Sequence, residues 1–393
     1  MIYKSRYLDI VLIIIVFYSL FFISHKFVEG KIPFWDFHIT YCVSKTYFLE
    51  NFPYGINAHG DCLHPNITLS ANYSPATLEI IKYLGSVNIV TANFIWIFLE
   101  ILSIFSVFYV LKKVFKFDYN WRNFLLICFS FGSIFFFSFI SGNISFILYG
   151  LIALGIFFLK KKLFHFYYLI ILFISFFKFY YLSFLLLPFY LLRWKSLKSI
   201  IFYVIAFFLI QYYFYLRNPD LTLAFLDVIQ GKYEDVLPIR FQTGTGLYSI
   251  IEKMPWIFLD VNEYESSFFS LKINLMLWFI ISFTIIFSTF ICLKKIKNKN
   301  NYFLYSISFG ILAINLLIPR LVAYDLILTV PILFYILNQI NFKFLTFDKF
   351  KSKFFFIFIF LILFDHHFPF LVIITFLTLF NYSEFYKKRL FSY

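Results

Sequence analysis

The chain has 393 residues, of which 62% are hydrophobic and 14% charged, and its mean hydropathy is +0.84. A soluble protein of this length would form two or three domains with about 25% charged residues, so that class is excluded. The net charge of +14 is read as basic loops that orient membrane spans, not as a nucleic-acid surface.

The first apolar run, Ile10–Ile23, is flanked by Lys4 and Arg6 and lacks a small-residue cleavage site, so it is read as a retained span rather than a signal peptide. Further runs approach the roughly 20 apolar residues that cross a bilayer. Spans are expected near 7–26, 89–111, 123–141, 144–159, 198–216, 273–293, 302–318 and 321–338. Two shorter pairs follow the same composition: 163–177 with 179–192, broken at Lys178, and 354–364 with 368–381, broken at "DHHFP". The expected fold is therefore all-α, a polytopic membrane protein of about twelve helices in a single domain, 1–393.

Charge supports that count. If the N-terminus is cytoplasmic and every span reverses direction, short cytoplasmic segments hold 23 of the 34 Lys and Arg. The opposite side then has two long loops, about 27–88 and 217–271, which carry most of the acids, among them Asp36, Asp61, Glu79, Asp227, Glu234, Asp235, Asp260, Glu263 and Glu265. Chemistry is expected on that outer face, with both termini cytoplasmic.

The first outer loop opens with "KIPFWDFHITY". An amphipathic helix near 37–50 is expected to lie in the interface, with Phe37, Tyr41 and Phe48 on one face. "NFPYG", "HGDCLHPN" and "NYSP" read as turns. Asp36 has two compatible readings. It is a functional carboxylate kept in a costly place, or it is the N-cap of the helix that follows. The four cysteines, Cys42, Cys62, Cys128 and Cys292, lack metal-type spacing. Cys42 and Cys62 share the loop and could pair in an oxidising compartment, although two unrelated thiols is the preferred reading.

Farther along, "SGNIS" (141–145) is a tight turn in which Gly142 could let the backbone approach a ligand and Asn143 could bond a sugar hydroxyl, although an ordinary turn is the preferred reading. Asn143 and Asn66 also match the glycosylation sequon. Lys178 is an isolated cation on the acid-rich side. It either snorkels to headgroups or binds an anion such as a lipid phosphate. Arg320, in "IPRLVAYD" ahead of Asp325, has the same character. Glu100 is an isolated acid within a span, read as a polar contact between helices. Asp365, His366 and His367 are adjacent but are not taken as a metal site, and no Walker loop, GxGxxG or HExxH is present.

In order along the chain, these pieces resemble the membrane glycosyltransferases of the C-type superfamily, in particular family 87, the polyprenyl-phosphate-mannose-dependent mannosyltransferases. The resemblance rests on Asp36, Phe37 and Tyr41 in the first outer loop and on Tyr73, Ser74 and Pro75 before the second span. It continues with the Gly142–Asn143 turn and a Lys-led span from Lys178 through Pro188 to Arg193 and Lys195. Where the family often has a proline soon after the lysine, this chain has Phe179, Tyr180 and Tyr181. The resemblance implies an inverting transferase of the bacterial inner membrane. It would move mannose or another hexose or pentose from a polyprenyl-phosphate donor to a glycan or glycolipid acceptor, with no cofactor and no metal. Asp36 would be the general base, desolvated by its apolar neighbours and so a better proton acceptor. Lys178 and Arg320 would hold the donor phosphate, and Trp35, Tyr41, Tyr73, Asn143 and Asp325 would contact substrates. Two other classes remain open: an envelope polysaccharide polymerase or ligase, and a transporter or flippase of lipid-linked glycans.

Overall fold

The structure is a computed structural model that describes residues 6–28, 33–54, 62, 73–117, 120–229, 246–248, 251, 271–296, 301–318, 323–339 and 369–385. Arg320, Asp61, Asn66, the expected span 354–364, Asp365–His367 and most of the loop 217–271 lie outside the described residues.

Every regular element among the described residues is helical, as hydropathy without period-two alternation requires. The elements are α1 (Arg6–Val28), α2 (Trp35–Glu50), α3 (Pro75–Gly85), α4 (Ile89–Lys113), α5 (Trp121–Ser141), α6 (Ile144–Lys160) and α7 (Phe164–Phe177). After a 3-10 helix (Phe179–Leu186) come α8 (Leu187–Leu192), a second 3-10 turn (Arg193–Ser196), α9 (Leu197–Arg217) and α10 (Pro219–Ile229). Then follow α11 (Leu271–Lys295), α12 (Tyr302–Asn315), a 3-10 turn (Ala323–Leu326), α13 (Thr329–Gln339) and α14 (Pro369–Phe385).

Five stretches are long and apolar enough to cross a bilayer: Asp9–Val28, α4, α5, Phe179–Arg217 and Ile273–Lys295. Shorter apolar helices are α6, α7, α12 and Val372–Glu384. Large apolar side chains cover the outside of these helices, for example Phe17, Phe21, Phe94, Phe105, Phe208 and Phe279. That surface suits lipid, and the chain is an integral membrane protein.

The run Phe179–Arg217 is not one rod. Arg193 has φ 58°, which ends α8, and α9 then runs back. Accordingly the Arg217 charge reaches Glu79 in α3, on the same side as Phe176, whose carbonyl accepts from Ser74 and Thr77. Segments expected on one side do meet one another. Lys160 Nζ bonds the Lys113 carbonyl, Arg193 the Lys294 carbonyl (3.4 Å), Lys295 the Glu384 carbonyl (3.3 Å), and Arg122 forks onto Asp9 (2.7 and 2.8 Å). At the other ends Asp36 meets Asn143, and α2 meets α3. From α1 to α13 the successive membrane helices therefore alternate in direction, while α14, beyond residues 340–368, ends beside the end of α11.

Two departures concern the first loop. "NYSP", read as a turn, leads directly into a helix over 75–85 that was not expected: Ser74 Oγ accepts from Thr77 N–H and Pro75 occupies the first helical position. Nor is α2 a one-sided surface helix. Phe37 and Tyr41 are buried, but so are Thr40, Cys42, Ser44 and Thr46, while Phe48 is 48% exposed. The reason is that α3 packs backbone-to-backbone on α2. A Cβ on Gly85 would sit 2.5 Å from the Ser44 backbone, and Ser44 Oγ bridges the Ile81 carbonyl and the Gly85 N–H. Val43, Tyr47, Leu78, Ile81, Leu221 and Val228 form a small second core where α2, α3 and α10 join over the membrane helices. A disulfide between Cys42 and Cys62, with Cα atoms 5.6 Å apart, ties the loop to α2 and corrects the reading of two unrelated thiols. Cys128 and Cys292 are free and buried.

Candidate functional site

The site is built on two helix N-termini that face each other, those of α2 and α6. Phe34 starts α2 in the left-handed conformation (φ 59°) and makes no side-chain cap. Asp36 is therefore not the N-cap. It is the second residue of the helix, in the first turn, where the helix dipole favours a negative charge. Phe34 N–H bonds the Ile140 carbonyl (2.9 Å), Trp35 packs on Phe137 (5.4 Å between ring centres), and Phe37 packs on Trp96 (5.2 Å). These contacts pin the start of α2 against the end of α5, so the backbone beside Asp36 has little freedom.

Asp36 is half-buried, and its Oδ2 accepts from Asn143 Nδ2 at 2.9 Å. Thr40 Oγ1 donates to the Asp36 backbone carbonyl (3.1 Å) and is within 2.7 Å of the Tyr73 hydroxyl. With the threonine proton so used, Tyr73 is the donor in the second bond. Burial pushes Tyr73 up to about 12, and the Asp36 charge adds to the shift, so its phenol stays neutral.

Asn143 is the cap of α6: its Oδ1 accepts from Ser145 N–H at 2.9 Å while its Nδ2 serves Asp36. Gly142 just before it has φ 67°, and a Cβ there would lie 2.8 Å from Phe34 and 2.9 Å from Phe37. Its carbonyl accepts from Trp96 Nε1 (3.0 Å). The glycine thus lets α2 close onto the turn; the space expected for a ligand is filled by Phe34 and Phe37.

On the other side of the same turn, Ser145 Oγ donates to Asp325 Oδ1 (3.1 Å) and accepts from Lys178 Nζ. Asp325 is fully buried and also receives Lys178 (3.3 Å), Tyr180 (2.8 Å) and Tyr181 (3.4 Å). Lys178 lies at the break between α7 and the 3-10 helix, with an extended backbone (φ −144°, ψ 107°) that turns its side chain back toward α6. Its ammonium is 4.8 Å from the centre of the Tyr324 ring, and the side chain keeps 20% of its surface exposed. Of its three donors, two are directed at Ser145 and Asp325, leaving one for a ligand. Such a pair supplies a positioned cation whose field is moderated by its carboxylate partner, not a bare charge.

The structure thus brings together Asp36, Tyr73, Asn143, Lys178 and Asp325 from five separate elements. Trp35 is 8% exposed and packs on Phe137; Tyr41 is buried with its hydroxyl on the Val87 carbonyl (3.0 Å), which places it between α2 and the start of α4. Asp325 has no exposed surface, so its part is to hold Lys178 and the tyrosines. Reading the sequence missed Ser145, Tyr180 and Tyr181. The serine was visible inside "SGNIS" but looked like turn chemistry. The tyrosines stood out only as a departure from the family's proline, and only the 3-10 winding after Lys178 aims both at one carboxylate. Glu100 is fully buried in α4, one turn below Trp96, and neither carboxyl oxygen has a hydrogen-bond partner of good geometry.

Neither a protein-family model, nor a curated protein, nor a solved structure matches the chain.

Proposed function

We propose that the protein is an inverting membrane glycosyltransferase that uses a polyprenyl-phosphate sugar, with Asp36 as general base and Lys178 as a cation for the donor phosphate. The observation that carries this reading is the Asn143–Ser145 turn. Its first side chain holds the Asp36 carboxylate, and its last is bonded to the Lys178 ammonium. A proton acceptor and a cation are thereby fixed on opposite sides of one rigid helix start, the preorganised arrangement that displacement of a phosphate by a hydroxyl needs.

In this mechanism the acceptor hydroxyl gives its proton to Asp36 as its oxygen attacks the anomeric carbon. The bond from that carbon to the phosphate oxygen breaks with its electron pair going to the phosphate, and the configuration inverts. Lys178 receives the growing charge on the leaving phosphate through its remaining N–H. Asn143 keeps Asp36 oriented, and Asp325 with Tyr180 and Tyr181 keeps Lys178 in place. Arg320 is a second candidate phosphate ligand, and the face bearing Asp36 is assigned to the outer side of a bacterial inner membrane. The Cys42–Cys62 disulfide supports an oxidising compartment on that side. The basic loops at the opposite ends support a cytoplasmic face there.

The test is transfer of label from polyprenyl-phosphate mannose to a glycan or glycolipid acceptor by the protein in proteoliposomes, with the anomeric configuration of the product determined. Lys178→Gln keeps a hydrogen-bonding side chain and removes the charge. It is expected to raise the apparent KM for the lipid donor at least tenfold and that for the acceptor by less than twofold. Equal effects on both substrates, or retention of configuration, would overturn the assignment.

A further inference from the structure

Midway along α5 the chain leaves the right-handed helix. Ser130 is extended (φ −77°, ψ 166°), and Phe131, Gly132 and Ser133 are left-handed (φ 54°, 66° and 59°). Glycine takes that conformation freely, whereas Phe and Ser adopt it at a cost. α5 contains no proline, so no missing N–H imposes the break. Ser130 has no exposed surface and its hydroxyl has no hydrogen-bond partner. The buried serines Ser19, Ser103, Ser138 and Ser175 instead donate to the carbonyl one turn back, the bond that a continuous α5 would offer Ser130 at Leu126. Two contacts hold the break as it is. Phe131 is buried against Phe334 of α13 (6.0 Å between ring centres), and the Ser133 hydroxyl donates to that of Ser19 in α1. Rewinding would relieve the two left-handed side chains and satisfy Ser130, and would give up those two contacts. The opposing terms are few and of like size, which is what makes a packed element bistable.

The two halves of α5 are held by different partners. The inner half is fixed by Arg122, which forks onto Asp9 of α1, and by Phe124, which stacks on Phe108 of α4 (5.6 Å). The outer half carries the start of α2: the Ile140 carbonyl accepts from Phe34 N–H (2.9 Å), and Phe137 meets Trp35 (5.4 Å). It also leads directly into the Asn143–Ser145 turn, where Asn143 N–H bonds the Ser138 carbonyl (3.3 Å). A change of backbone at 130–133 therefore moves Asp36 and that turn relative to α1 and the inner half of α5. We propose that α5 is a hinge with two backbone states, broken and continuous, that shifts the Asp36-bearing start of α2 between two positions, whatever reaction occurs there.

The experiment is pulsed electron–electron resonance on the full chain in lipid nanodiscs, with nitroxide labels at Leu49→Cys and Trp121→Cys and the free thiols removed by Cys128→Ala/Cys292→Ala. Leu49 (64% exposed) lies near the end of α2 and Trp121 (54%) starts α5, so the labels span the break from exposed positions. This parent is expected to show two distances. Gly132→Ala disfavours the left-handed backbone and favours a helix, and should change the ratio of the two at least fivefold. Ser130→Ala removes the unpaired hydroxyl of the broken state and the bond gained in the continuous one, and should change the ratio at least threefold in the opposite direction. Gly132→Asn adds bulk at the same position but tolerates the left-handed region, and should stay within twofold of the parent. Should Gly132→Ala not fold, Ser130→Ala carries the test. One distance, the same in the parent and every folded variant, would overturn the hinge. So would equal shifts in Gly132→Ala and Gly132→Asn, because bulk and not backbone preference would then be the cause.

Discussion

The buried Lys178–Asp325 pair gives the most quantitative test of how the site is held. At 3.3 Å, two unit charges attract by about 5 kcal/mol at an effective dielectric constant of about 20. Desolvating both groups offsets much of this, so what is measurable is the cost of leaving one partner alone. Asp325 has no exposed surface, whereas Lys178 retains 20% of its own and can regain some water. Asp325→Asn should therefore cost about 3 kcal/mol, at the lower end of the usual 3–5 kcal/mol for breaking a buried pair. Asp325→Ala should cost about 5 kcal/mol, because the hydroxyls of Ser145, Tyr180 and Tyr181 also lose their acceptor. Combining Asp325→Asn with Lys178→Met removes the orphaned charge, so the double variant should be only slightly less stable than either single one, with a coupling of about 2–3 kcal/mol. The assay is equilibrium unfolding in mixed micelles followed by circular dichroism. Single and double variants that add within about 0.5 kcal/mol would refute the pairing.

Two further perturbations follow from the geometry. Cys42→Ser/Cys62→Ser opens a loop closed across a separation of 20 residues and should destabilise the α2–α3 layer by about 3 kcal/mol, read as earlier protease cleavage between α2 and α3. Gly142→Ala places a methyl at φ 67° against Phe34 and Phe37 and should cost about 2–4 kcal/mol from backbone strain and overpacking together; a thermal midpoint unchanged from wild type would contradict that packing.

Much of the architecture was legible because lipid imposes it. A bilayer leaves only helices for a chain this apolar, and the ends of α1, α4, α6, α7 and α9 fall within a few residues of the apolar runs. The loop elements were not legible in the same way. "NYSP" carries the Ser–Pro start of a helix, but its turn composition masked the signal until Thr77 supplied the capped N–H. The disulfide depends on where α2 places Cys42, which spacing does not determine. For the site, isolated ionisable residues at membrane boundaries singled out Asp36 and Lys178, because such groups are costly unless something holds them, and the structure shows what holds each: Asn143 for Asp36, Ser145 and Asp325 for Lys178. Their mutual arrangement was beyond the sequence. It depends on Asn143 and Ser145 turning one helix start into a bridge between distant segments.

The central claim is that Asp36 is a base and not merely a polar residue in the first turn of α2. Asp36→Asn retains size and an oxygen that can accept from Asn143, but no longer accepts a proton at physiological pH. The measurement is the initial rate of sugar transfer from a polyprenyl-phosphate donor by correctly inserted Asp36→Asn protein, compared with wild type at saturating donor. The account predicts a rate reduced about 100-fold or more with donor binding unchanged. A variant that transfers sugar at near wild-type rates would contradict it.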